Sequence, residues 1–391
     1  MFLEKSYGEF HSKFQIDLED RLKKEKIEET VIQKVLESGF YIFQDYVQDG
    51  YYGSRGAIPF NYFVNILKGT AKNYKRRNIP TYIINSFEEA KKVLEQPFYK
   101  NVINDICFRG QTNHVNSTRP FPHPFFANEN GEEILLLPGF WRTYLDDNKH
   151  VSNKRPMEAP RGIANEIISE RMLYHGIDVQ KLIERNLELY GHHDVQDLED
   201  FPDRESQEYY RRYNLKFSMM KGFEQSLIEQ HYGFPTIGLD VSFDLKTALF
   251  FATNKFVIKK GKGEKANYIP INHSHEGVIY LLRFSSPKIM KTRDQILATS
   301  IFEHIPPIRP LKQSCALPFF HSTMVNEAAA HIVGILKIGE DFNDPEAYTP
   351  SELFPSRKED LFYNALLELK EELSKEFPEE LNKIIDYDFT S

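Results

Sequence analysis

Cysteine is almost absent: 391 residues hold two, Cys107 and Cys315, each in an apolar context. Two isolated thiols supply neither a disulfide framework nor the spacing of a zinc site, so no metal is expected, and they fit a reducing, cytoplasmic compartment. Long apolar runs are missing too. Nothing approaches 18 uninterrupted apolar residues, so no membrane span is expected. The opening MFLEKSYGEF lacks the basic start and apolar centre of a secretory signal. Positive charge is not in excess, since 49 Lys and Arg against 57 Asp and Glu leave a net charge of −8. That balance argues against a dedicated binder of nucleic acid or anionic membrane. The chain has no Gly-rich phosphate loop, CxxC pair, HExxH or GxSxG. Their absence removes the commonest nucleotide-hydrolase, zinc-enzyme and serine-hydrolase readings.

What is abundant is aromatic: Phe and Tyr dominate a 14% aromatic fraction, which predicts aromatic cores and pocket walls. At roughly 100–200 residues per domain the length suggests two or three lobes. Residues 1 to about 50 read as helical, with Val31, Ile32, Val35 and Leu36 at helical spacing. Ser86 is placed to cap a helix through FEEAKKVLEQ. NVINDICFRG reads as a buried strand ending at Gly110. Thr236 to Val241 reads as a short strand, followed by a helix from Asp244 to about Lys255 with Ser242 as its N-cap. GVIYLLRFSS is a strand with Val278, Tyr280, Leu282 and Phe284 on one face. A strand in AAHIVGILKI and an amphipathic helix through Phe362, Leu366, Leu369 and Leu373 close the chain. Strands and helices do not alternate as in a doubly wound sheet. The fold class is therefore α+β, a mixed or antiparallel sheet with a mainly helical N-terminal region at 1–80 and a C-terminal helical segment at 341–391.

Several residues can carry chemistry. Arg109 emerges at a strand end, where a forked guanidinium suits phosphate or carboxylate oxygens, and Gly110 beside it permits close approach of a ligand or backbone. An ion pair or a solvated surface arginine is the ordinary alternative. His231 and Tyr232 precede a Gly-x-Pro turn and either line a pocket or satisfy one another. Asp240 and Ser242 flank Val241 and should share a face. Glu166 and Glu170 sit at i,i+4, which allows joint acid/base work but usually marks a solvated face. The His192-His193 pair suits a surface loop better than a metal. The run from Lys72 to Arg77, with Tyr74 inside it, leaves room for a nucleic-acid contact on an otherwise acidic chain.

Taken together, FRGQ at Phe108–Gln111, QHYGFPT from Gln230 to Thr236, Leu239-Asp240, ALFFA from Ala248 to Ala252, and Arg309 to Gln313 resemble the FRG domain family, over roughly residues 80 to 335. The domain boundaries implied are 81–340. Ile237-Gly238 and Val241-Ser242 depart from the usual pattern around the aspartate. A weaker similarity links the same order of segments to arginine-serine-glutamate ADP-ribosyltransferases. That resemblance implies a sheet core of their type and NAD as substrate. It also implies Arg109 on the diphosphate or ribose with Gly110 beside it, His231, Tyr232 and Asp240 around the ligand, and Ser242 shaping the nicotinamide pocket. Gln313 or Glu327 would stand at the reacting ribose. A toxin or defence effector modifying an unidentified target is the function implied. The alternative is a non-enzymatic module that senses a nucleotide or a partner.

Overall fold

A computed structural model describes residues 5–157, 163–190, 203–216, 230–234, 236–259, 265–271, 276–284, 289–291, 302–318, 324–344, 346–382, 384, 386, 387 and 389. The chain begins with helices Tyr7–Lys24 and Glu29–Glu37; Ser6 and Glu9 form a reciprocal capping box on the first. Strands β1 (Phe40–Phe43), β2 (Tyr46–Asp49) and β3 (Ile58–Pro59) then form a small antiparallel sheet, followed by helix Phe60–Leu67. The N-terminal region is thus a mixed module, because the aromatic stretch after Gly39 pairs as a hairpin instead of continuing the helix.

Further along come β4 (Thr81–Ile84), helix Phe87–Leu94, β5 (Ile106–Gln111), and the short pair β6 (Asn116–Ser117) and β7 (Glu133–Ile134). Helices Ile163–Leu173, Val179–Tyr190 and Arg204–Lys216 precede β8 (Val241–Ser242) and helix Leu245–Thr253. The C-terminal part carries β9 (Asn254–Lys259), β10 (Lys265–Pro270), β11 (Val278–Arg283), β12 (Ile289–Lys291), β13 (Cys315–Pro318), β14 (Ile332–Ile338), helix Leu361–Leu373 and β15 (Asp386–Tyr387).

The centre is a seven-stranded sheet in the order β12-β13-β8-β5-β11-β14-β4, antiparallel throughout except for the parallel β14–β4 edge. The fold is α+β, as the element pattern predicts. Strand β11 explains why the sheet is central. Val278, Tyr280 and Leu282 pack on one side against Leu135, Leu136 and Trp141. Ile279 and Leu281 pack on the other against Ala248, Leu249 and Tyr99. Both faces of the strand are therefore covered, where period-two alternation alone suggests one. Helix Phe87–Leu94 starts at Ser86, whose hydroxyl accepts from Glu89 N–H, as the sequence implies. A separate core joins Ile168, Met172 and Leu182 to Tyr232, Phe362 and Leu366. Among the described residues no helix is long and apolar enough to cross a membrane.

The N-terminal module is bound to the β6–β7 pair by a buried charge cluster. Arg119 Nε and Nη2 grip both oxygens of Glu133 at 2.7 Å, while Nη1 meets Asp49 Oδ2 at 2.8 Å. The Asp49 carboxylate also accepts from Tyr51 and Tyr52 N–H, and Phe40 and Tyr51 present their rings to the guanidinium. All three charged side chains are excluded from solvent. Removing one partner of a buried, hydrogen-bonded pair strands the others. Arg119→Met should therefore cost about 3–5 kcal/mol at pH 7, measured by urea unfolding.

Burial would raise the Asp49 carboxyl, but the Arg119 charge and hydrogen bonds hold it below its ordinary value. Its contribution to stability is therefore complete above the unfolded pKa of about 3.9 and lost as pH falls through the lower folded one. Without Arg119 the charge that chiefly opposes burial is gone, leaving His123 and the backbone N–H donors; the folded pKa rises, and the variant loses stability as pH increases. The gap between variant and wild type should narrow between about pH 7 and 5. A gap that is constant over that range would remove Asp49 from this role.

Candidate functional site

The end of β5 carries Arg109, and its position is set by a close approach at the next residue. A Cβ on Gly110 would fall 1.8 Å from the Ala248 carbonyl oxygen and 3.0 Å from Ala252 N. The backbone of helix Leu245–Thr253 occupies the space that only glycine leaves open. Gly110 thus joins FRG to ALFFA by helix-on-strand packing, and touches the cleft only at its wall.

Arg109 Nη1 donates to the Asp240 carbonyl at 2.8 Å, so β5 and the segment entering β8 meet at this guanidinium. Its Nε is buried without a hydrogen-bond partner. Gln230 steadies the same segment: its amide oxygen accepts from Asp240 N–H at 2.7 Å and its nitrogen donates to Gly238 O at 3.2 Å. This loop of side-chain contacts replaces the strand expected over Thr236 to Val241, and the ladder begins only at Val241.

Behind Asp240 lies His231. Its Nε2 stands 3.2 Å from Asp240 Oδ1 and 2.8 Å from Cys315 Sγ, and its Nδ1 is 3.0 Å from Gln313 Oε1. Burial lowers the His231 pKa, but Asp240 and Cys315 outweigh it and lift the ring to about 10. Burial raises Asp240, and the His231 charge, with Arg109 further off, carries it below its ordinary value. A positive charge is therefore favoured between these groups.

Ser242 is buried in β8, where its hydroxyl donates to Gln313 O at 2.7 Å and accepts from Asp244 N–H at 2.9 Å. It is not the N-cap. The helix starts at Leu245, so the cap position falls on Asp244, whose carboxylate accepts from Lys246 and Thr247 N–H.

Arg109 and Asp240 line a cavity of about 410 Å³ together with Arg142, Phe251, Phe256 and Tyr268. The polar side chains of Gln111, Thr112 and Asn113 also face it. Arg142 Nε donates to Leu137 O at 3.1 Å. Arg142 keeps an exposed surface, but partial burial of its guanidinium and then repulsion from Arg109 lower it to about 10, with Asp240 opposing, so it remains cationic at neutral pH. Burial likewise lowers Arg109 against the attraction of Asp240. A second cavity, of about 10 Å³, adjoins through Arg109, Asp240 and Phe251, and is also lined by Ser242, Gln313 and Cys315. It has room for about one water molecule.

The structure therefore brings together Arg109, Asp240, His231, Ser242 and Gln313. Tyr232 goes elsewhere: its hydroxyl donates to Asp360 Oδ2 at 2.5 Å and its ring covers Arg309, so it holds the C-terminal helix and walls neither cavity. Glu327 is buried in the turn Glu327–His331 and lines neither cavity. Glu166 and Glu170 are exposed on a helix packed against Leu361–Leu373. In the basic run, Arg77 donates to the Ala329 and Ile332 carbonyls and Tyr74 to Pro124 O, which turns both inward. His192 and His193 lie outside the described residues. Sequence reading missed Arg142, Phe256, Tyr268 and Cys315. Only Cys315 carried a signal, as one of two cysteines in the chain and two residues beyond Gln313.

Gly110→Ala should push helix Leu245–Thr253 off β5 and lower stability by about 1–3 kcal/mol or more, because the obstacle is backbone that cannot rotate away. Thermal unfolding followed by circular dichroism measures it; a variant as stable as wild type would contradict the packing.

No family model matches the chain, and neither a curated protein nor a solved structure does.

Proposed function

We propose that this cleft binds a nucleotide, with NAD favoured by the resemblance to FRG domains and ADP-ribosyltransferases. The observation that carries the reading is the placement of two arginines, Arg109 and Arg142, in one aromatic-walled cavity. Two guanidiniums held close in spite of their repulsion suit a diphosphate, which repays both charges with bidentate hydrogen bonds. Phe251, Phe256 and Tyr268 supply faces for a base or a nicotinamide ring. In the enzymatic form of this reading, glycosyl transfer from NAD would modify a target as a toxin or defence effector does.

A second reading, a nucleotide sensor without turnover, has an observation of its own. Asp240 is the sole acid among the described residues lining the large cavity, and its carboxylate is held by His231. Gln313 carries no charge with which to stabilise an oxocarbenium-like centre, and Glu327 lies off the lining.

Calorimetry with NAD, alongside an assay for released nicotinamide, separates the two. Binding with release supports the transferase; binding without release supports the sensor. Arg142→Ala should fold normally and weaken NAD binding about 10- to 100-fold, the worth of a hydrogen bond to a charged group. No detectable binding of NAD or ADP to the wild type sinks both readings.

A further inference from the structure

Gln313 determines more than the tilt of the His231 ring. Its Nε2 donates to the Leu353 carbonyl at 3.2 Å, which leaves Oε1 facing His231 Nδ1 at 3.0 Å. A carbonyl oxygen only accepts, so the Nδ1 position carries the proton. The opposite nitrogen, Nε2, then faces two electron-rich groups, Cys315 Sγ at 2.8 Å and Asp240 Oδ1 at 3.2 Å. A bare lone pair aimed at a carboxylate oxygen is repulsive, so a proton or a cation must lie between them. A single N–H cannot point along both contacts at once.

A divalent cation can meet all three. The ligand atoms of His231, Asp240 and Cys315 lie within 4.8 Å of one another, on separate segments that the β8–β13 pairing and the loop before β8 draw together. We propose that His231 Nε2, the Asp240 carboxylate and Cys315 Sγ form a zinc site. One nitrogen, one oxygen and one sulfur donor suit this borderline-soft ion, and three protein ligands leave a fourth position open. The water-sized cavity beside Asp240 and Cys315 supplies that position, and it adjoins the large cleft through Arg109 and Asp240. The outer contacts are those of a metal centre. Gln313 holds the far ring nitrogen, and Arg109 holds the backbone of the aspartate. Binding releases the Cys315 thiol proton, and any proton on Nε2, to solvent. The ion's two charges are then matched by thiolate and carboxylate, so no net charge is added beside Arg109.

The site does not depend on what occupies the cleft, and its test is separate. The metal-stripped full chain is titrated with zinc chloride by calorimetry, and with cobalt chloride by absorbance. A single equivalent of zinc is expected, with a thiolate-to-cobalt charge-transfer band in the near ultraviolet. Cys315→Ser, which preserves shape, should abolish the band and weaken zinc at least tenfold, whereas Cys107→Ala should keep both. Gln313→Leu should retain the band but weaken zinc about 10- to 100-fold, the usual loss on removing an outer partner. Circular dichroism checks that each variant is folded. Folded wild type that takes up no zinc overturns the proposal and leaves a proton between these groups. Uptake without the band, or a band that survives in Cys315→Ser, overturns it as well. Zinc uptake without NAD binding keeps this site and removes the nucleotide reading.

Discussion

Taking a guanidinium out of water costs several kcal/mol unless carboxylates, carbonyls or aromatic faces replace its hydration. This chain buries arginines at its seams and meets that requirement differently each time. Arg119 joins the N-terminal module to the β6–β7 pair through two carboxylates. Arg155 lies over the Tyr7 ring and donates to the Gly50 and Ser152 carbonyls, tying the first helix to the same region. Arg309 sits among Tyr232, Phe354, Tyr363 and Tyr387, with its ring contacts between 4.5 and 5.3 Å. Its Nη1 donates to His231 O, while Nε and Nη2 lie buried with no hydrogen-bond partner. The aromatic faces stand in for the missing acceptors, so the C-terminal helix and β15 are held where they can enclose the charge.

Arg109 belongs to the same set and differs in one respect. Like Arg155 and Arg309 it donates to a backbone carbonyl, but it lines an open cavity in which a second arginine, Arg142, also stands. In Arg119 and Arg309 the charge is spent on holding the fold together; at Arg109 and Arg142 part of it is left facing open space. That contrast is the physical basis for placing an anion in the cleft. The Arg309 cage also supports the cleft indirectly, because Nη1 fixes the backbone of His231 and the Ile308–Lys312 helix presents Gln313 to its ring.

Much of this was legible in the chain. The buried strand ending near Arg109, the Ser86 cap and the existence of β11 follow from local pattern, because strand burial and capping depend on neighbours a few residues apart, whereas the burial of the second face of β11 does not. The contact between Asp240, His231 and Gln313 was anticipated only as a convergence of motifs, with no partners assigned. Ser242 shows how local reasoning slips by a small step: the cap fell on Asp244 because β8 retains Ser242 in its ladder with Cys315 and Phe108. Tyr232 shows a larger failure. Adjacent to a cleft residue in sequence, it turns toward Asp360, which lies in a segment no local signal connects to it.

Residue types and their order determined the α+β class, the strand that carries Arg109, and the need for glycine at position 110 if a helix was to cross that strand. Which carboxylate, ring or thiol pairs with each buried charge was decided by tertiary structure alone. Asp49 and Glu133 reach Arg119 from opposite sides of a long connection, and Cys315 reaches His231 only because β13 pairs with β8. Such contacts are set by which strands become neighbours, and that choice depends on burying whole faces of the sheet at once rather than on the residues that finally touch.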